Sequence, residues 1–351
     1  MRLVKIPGRA VRRLQRSVNS LRDRASVRGL ILAYHRIADP ERDPQLLAVS
    51  PKNFREHLDV LKRNFYPDSL RTCSNGVRAK RPLVALTFDD GYVDNFQFAK
   101  PILEQADVRA TFFVTSGFVD TDREFYWDEL GAMLLESNLH PGQLIVRIGT
   151  DQHVWEFTDA DLQGSPTGWN VTQGTSTSPR QNAYAFLCAK LKWLRDSERQ
   201  RILEQVAGFC KMSRPCRDAY RVMNSHELAV LSKSDVIEIG AHTVSHPSLP
   251  ALALELAAKE MAQSKNDLEA VLGKAVTSFA FPYGEVTDFN SATVTSLQQS
   301  GFERACINCP GLLVRRSQVM LLPRFIVRNW NGDEFSRQLR SWLTQPTAVY
   351  L

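Results

Sequence analysis

Two short stretches of this chain collect side chains that do chemistry. The first is Thr87-Phe88-Asp89-Asp90-Gly91, adjacent carboxylates set directly after the apolar run Leu83-Val84-Ala85-Leu86. Such a run reads as a buried strand, and the glycine marks a sharp turn at its end. Strand ends of this kind are where α/β folds place ligands. Neighbouring side chains on extended backbone point different ways. Asp89 and Asp90 can therefore divide their work, one on a cation and one on a water. The second stretch lies about 150 residues later, where Ile237-Glu238-Ile239-Gly240 runs into His242 and His246. On a helical turn, that spacing brings both imidazoles to one face. Two histidines and one aspartate leave a coordination position open, the pattern of a catalytic rather than a closed structural zinc. A third segment, Ser278-Phe279-Ala280-Phe281-Pro282-Tyr283-Gly284, has the same strand-then-break form.

Together these segments resemble the polysaccharide deacetylase (NodB-homology) family, over roughly Leu30 to Trp330. Thr87–Gly91 is similar to its first motif, His242–His246 to its second and Phe279–Gly284 to a variant of its third. The resemblance implies a distorted (β/α) barrel, a divalent metal, and hydrolysis of an N-acetyl group on an amino sugar. It implies Asp89 as general base, Asp90, His242 and His246 as metal ligands, and the Tyr283 backbone N–H as an oxyanion donor. Zinc is the ion expected from the ligand types.

Two departures narrow the resemblance. No arginine heads the third motif, and no histidine follows Pro282. Of the seven histidines, His35 repeats the pattern of the other sites, since it ends the apolar run Leu30-Ile31-Leu32-Ala33-Tyr34. This is similar to a subgroup with circularly permuted motifs, in which the acid histidine lies on the first strand and the missing arginine comes from a late Leu-Pro-Arg segment. Leu322-Pro323-Arg324 matches that segment. The resemblance then implies His35 as general acid and Arg324 as the partner of Asp89.

The elements needed to position these groups are visible around them. Ala110–Val114 reads as a strand, 254–272 as a helix, 277–281 as a strand and 335–342 as a closing helix. Alternating strand and helix favours a parallel barrel. The expected fold class is α/β, a distorted (β/α) barrel of the NodB-homology type over residues 30–345, with a large insertion at about 125–225. Residues 162–180 are rich in Gly, Ser, Thr and Pro and read as loop. Residues 181–211 read as charged helix. The insertion opens with Phe125-Tyr126-Trp127-Asp128-Glu129. Its aromatic residues suit either stacking on sugar rings or a place in the core.

The net charge of +6 is unevenly spread. Residues 1–29 hold nine Lys or Arg against one Asp, with Val11, Leu14, Val18 and Leu21 at helical spacing. This arm reads as a basic amphipathic helix, either docked on an anionic membrane or packed on the barrel. It lacks the apolar core of a secretion signal, and no apolar run is long enough to span a bilayer. The expected location is the cytoplasm, with peripheral contact at the inner membrane face. Six cysteines at irregular spacing fit reduced thiols, and Cys306-Ile307-Asn308-Cys309 lacks a second pair to complete a zinc site. No nucleic-acid recognition motif accompanies the basic arm, and no nucleic-acid partner is expected. The expected substrate is an N-acetylated saccharide. A deformylase or other amide hydrolase of this fold, or a glycan-binding protein without catalysis, are the alternative functions.

Overall fold

A computed structural model describes residues 27–75, 80–161, 167–174, 178–314 and 317–344. The basic arm lies outside these residues, apart from the backbone of its last few. Eight strands carry the fold: β1 (Val27–Tyr34), β2 (Leu83–Phe88), β3 (Ala110–Val114), β4 (Ile237–Ala241), β5 (Ser278–Ala280), β6 (Arg304–Ile307), β7 (Leu322–Pro323) and β8 (Phe325–Ile326). Strands β1 to β7 pair in that order, always in parallel. The last two close the circle. Leu322 and Pro323 pair with β6, while Phe325 and Ile326 pair back onto β1. The expected distorted barrel is therefore present, with Arg324 at the seam between β7 and β8.

The period of two along each strand sorts side chains between the barrel interior and the surrounding helices. Ile31, Ala85, Phe113, Ala280, Cys306 and Leu322 belong to a small interior cluster. Leu30, Leu32, Val84, Leu86, Phe112 and Ile239 belong to the larger core outside it. On β2 the interior parity runs through Ala85 and Thr87 to Asp89, whose N–H still donates to Tyr34 O at 3.0 Å. On β4 it runs through Glu238 and Gly240 to His242, whose N–H donates to Val114 O. The pleat thus aims both groups into the top of the barrel. Gly240 is needed for this packing, since a Cβ there would lie 2.5 Å from the Phe113 ring.

Helices cover the outside. Helix α1 (Pro51–Asn64) is capped by Ser50, whose side chain accepts from Asn53 N–H. Helices α2 (Pro179–Leu191) and α3 (Asp196–Cys210) occupy the stretch expected to be helical. Helix α4 (Leu254–Leu272) matches its expected bounds and stops at Gly273 in the left-handed conformation (φ 64°). Helix α5 (Gly332–Thr344) packs against α1. An antiparallel hairpin of Gly142–Ile148 and Asp151–Phe157 was not anticipated. All six cysteines are free thiols. No helix among the described residues is long and apolar enough to cross a membrane.

Candidate active site

Asp89 and Asp90 part company at the end of β2. Asp90 and Gly91 both take positive φ, 74° and 84°, so the chain turns sharply just after Asp89. Glycine adopts this geometry freely, and aspartate is among the few other residues that tolerate it. Asp89 continues inward and meets Arg324. The guanidinium donates to both carboxylate oxygens, at 2.7 and 2.6 Å, and to Thr87 Oγ1 at 3.0 Å. Both partners are buried. Burial pushes the Asp89 pKa upward, but Arg324 and the neighbouring histidines outweigh it and hold the group below the usual carboxylate range.

Asp90 faces the two histidines instead. Its Oδ1 lies 3.5 Å from His242 Nε2 and 3.3 Å from His246 Nε2. One ligand atom from each of the three residues lies within 4.8 Å of the others. Burial alone would raise the Asp90 pKa, but the two imidazoles beside it outweigh that cost and hold the group below the usual carboxylate range. His242 Nδ1 donates to the carbonyl of Ala280 on β5, at 2.7 Å, which leaves the Nε2 lone pair turned toward Asp90. Burial lowers the His246 pKa to about 4, so this ring is neutral at pH 7. A carboxylate and two imidazole nitrogens at such spacing fit a divalent cation, with the cleft side left for water or substrate.

The turn between the histidines is not helical as their spacing suggested. Thr243 and His246 both have positive φ, 68° and 55°. The loop is tied down from outside. Glu260 on α4 accepts from Val244 N–H, Ser245 N–H and Ser245 Oγ at 2.7–2.9 Å. Val244 O also accepts from Gly117 N–H, and a Cβ on Gly117 would lie 2.6 Å from that oxygen.

A cleft of about 240 Å³ opens above these groups. Its walls include His35, Asp89, Asp90, Trp127, Lys192, His242, His246, Tyr283, Asn308 and Arg328. Burial lowers the His35 pKa, while the charges of Asp90 and Asp89 pull it back up. Tyr283 has a positive φ of 59°. Its carbonyl accepts from Asn308 Nδ2 at 2.9 Å, and its own N–H has no acceptor among the described residues. The seven residues singled out from the sequence are thus brought together around one cleft.

Phe125, Tyr126 and Trp127 are core residues rather than open stacking surfaces, all less than a tenth exposed. Trp127 still reaches the cleft wall, where it packs edge-on against His246 with ring centres 5.1 Å apart. Asp128 accepts from Tyr92 Oη at 2.6 Å, and burial pushes its pKa up to about 7. Asn308, Glu260, Lys192 and Arg199 contribute to the site without any sign in the sequence. Each is a single polar residue in an ordinary context. Arg199, 2 % exposed, donates to Ser245 O in the histidine loop at 2.9 Å.

Comparison with known proteins agrees with this architecture. The family model described as polysaccharide deacetylase matches residues 76–140 and 217–305. A putative polysaccharide deacetylase, YxkH of Bacillus subtilis, is 33 % identical over 89 residues, which is 24 % of this chain and 30 % of the relative. The Streptococcus pyogenes deacetylase PplD, solved in complex with acetate, superposes with a TM-score of 0.55 at 17 % identity, covering 91 % of this chain and 100 % of that one. IcaB from Ammonifex degensii gives 0.54 at 16 % identity, covering 91 % and 98 %. Residues 76–140 and 217–305 therefore match the polysaccharide deacetylase family model in two blocks, separated by a segment, 141–216, that it leaves unmatched, and the fold is that of the solved deacetylases.

Proposed function

We propose that the protein is a cation-dependent hydrolase that removes an N-acetyl group from an amino sugar within a larger saccharide. The observation that carries this reading is the convergence of two side-chain clusters in one cleft. Asp90, His242 and His246 form a cation-binding face, and the Arg324-clamped Asp89 stands beside it. A pure glycan binder has no need of either system. In this reading residues 30–345 are the catalytic domain, with 125–225 inserted into it.

A divalent cation held by Asp90, His242 and His246 supplies Lewis-acid activation of a water and of the acyl oxygen. The protein's own groups do the rest. Asp89, ionised and unable to rotate in the grip of Arg324, takes the proton of the attacking water. The Tyr283 N–H, which has no acceptor among the described residues, donates to the oxygen on which charge builds; one such donor is worth roughly 3 kcal/mol. His35, across the cleft mouth, gives a proton to the departing amine nitrogen. The C–N bond breaks, and acetate and a free amino sugar leave.

The test is acetate release from N-acetylglucosamine oligomers by zinc-loaded protein, with metal content measured in parallel. Asp89→Asn should abolish turnover and keep the bound metal, whereas His242→Ala should lose both. Near-wild-type rates in Asp89→Asn would remove the base from this scheme. Release of formate from N-formyl oligomers in preference to acetate would reassign the acyl group.

A further inference from the structure

We infer that Trp193 forms a sugar-binding platform at the cleft mouth, where it stacks on a saccharide residue next to the one being deacetylated. This rests on the activity proposed above and names a residue by which that site would recognise a sugar beside the one being deacetylated.

Trp193 is 42 % exposed, although it lies among residues that are firmly held. It follows the end of α2, inside the segment that the family model leaves unmatched. The neighbouring Lys192 is locked in place. Its Nζ pairs with Asp288 at 3.0 Å and with Glu285 at 3.4 Å. The Asp288 side chain is fully buried and also accepts from Ser248 Oγ and Glu285 N–H. The Lys192 carbonyl accepts from Arg199 Nη2 at 3.3 Å and Ser248 N–H at 3.4 Å, and Trp193 N–H donates to Lys190 O at 3.1 Å. The constrained backbone holds a partly exposed indole in place, so little ordering is needed when a ring packs on its open face. It is preorganised for a partner that arrives from outside.

The position identifies the partner. Lys192 Nζ lies 4.7 Å from the centre of the Tyr283 ring and 5.2 Å from that of Trp193. The two rings can be no farther apart than the sum of those distances. Tyr283 lines the reaction cleft, so the indole stands a sugar residue or two from the cation-binding face. Lys192 and Glu285 lie between them on the cleft wall and offer a donor and an acceptor to ring hydroxyls. An aromatic face flanked by a fixed charged pair is suited to a pyranose, which has an apolar face and a polar rim.

The test compares wild type, Trp193→Ala and Trp193→Phe on N-acetylglucosamine and on its β-1,4- and β-1,6-linked tetramers. The ratio of kcat/KM for a tetramer to that for the monosaccharide should fall about tenfold in Trp193→Ala and recover in part in Trp193→Phe. An unchanged ratio in Trp193→Ala overturns the platform. Binding is measured separately by titration calorimetry of the tetramers into zinc-loaded wild type and Trp193→Ala. If wild type releases no acetate, the proposed activity fails, and the calorimetry still decides. Weaker tetramer binding in Trp193→Ala then supports the platform, and equal or absent binding rejects it.

Discussion

Arg324 grips Asp89 with two hydrogen bonds across 235 positions of sequence, inside a barrel that its own segment closes. Removing one member of a buried pair leaves a bare charge and costs about 3–5 kcal/mol. Arg324→Met should therefore lower the melting temperature sharply. The double variant Asp89→Asn/Arg324→Met, with neither charge present, should melt higher than Arg324→Met alone. Equal melting temperatures for the two would mean that the pair does not bear on stability. Both variants should lose turnover.

His35 is assigned to protonation of the leaving amine, so its loss should depend on the leaving group. With an N-acetyl sugar, His35→Ala should reduce kcat by a factor of about 10² to 10⁴. With p-nitrophenyl acetate, whose leaving group departs as a stable anion, the loss should be far smaller. Parallel losses on both substrates would rule out the acid role and point to His35 as a binding group.

Glu260 touches no substrate, yet three donors of the histidine loop end on its carboxylate. Without it the two imidazoles lose their fixed spacing. Glu260→Ala should weaken zinc binding by about 10- to 100-fold, as measured by competition with a chelating dye, with the circular dichroism spectrum unchanged. Unaltered zinc affinity would show that the loop holds its shape by other means.

His57 links α1, β1 and α5. Its Nε2 donates to Trp330 O at 2.7 Å, its Nδ1 is 3.3 Å from Tyr34 Oη, and its ring stacks on Phe335. Burial pushes its pKa down from 6.5 to about 4. Between those values the unfolded chain takes up a proton that the folded protein refuses. Stability should thus fall as pH drops from 6.5 toward 4, by about 3 kcal/mol from this residue. Urea unfolding of His57→Gln should show a shallower decline over that range. An identical pH dependence would assign acid sensitivity elsewhere.

The barrel was legible because its strands are short apolar runs, each stopped by a polar or glycine residue, as at Tyr34-His35, Phe88-Asp89 and Gly240-Ala241-His242. Those stops fall where the strands open onto the cleft, so the same pattern located both the fold and the site. The loop between the histidines was less transparent. A spacing of four suggests a helical turn, and nothing local announces that Thr243, a β-branched residue, adopts positive φ. Contacts with Ser116, Gly117 and Glu260 impose that shape from distant segments. The hairpin at 142–157 escaped notice because Ile145 and Val154, paired across it, are apolar and yet exposed, which blurs the alternation that marks a strand. Lys192 and Arg199 lie in a charged helical stretch whose composition is that of any solvated surface, and only the folded chain brings Lys192 to the cleft and Arg199 to the histidine loop.

The seam between β7 and β8 sets an order of events. Asp89 emerges from the ribosome long before Arg324, and until the segment 322–326 docks, this carboxylate lacks its guanidinium partner. In the function proposed above, hydrolytic competence would therefore arrive only with closure of the barrel.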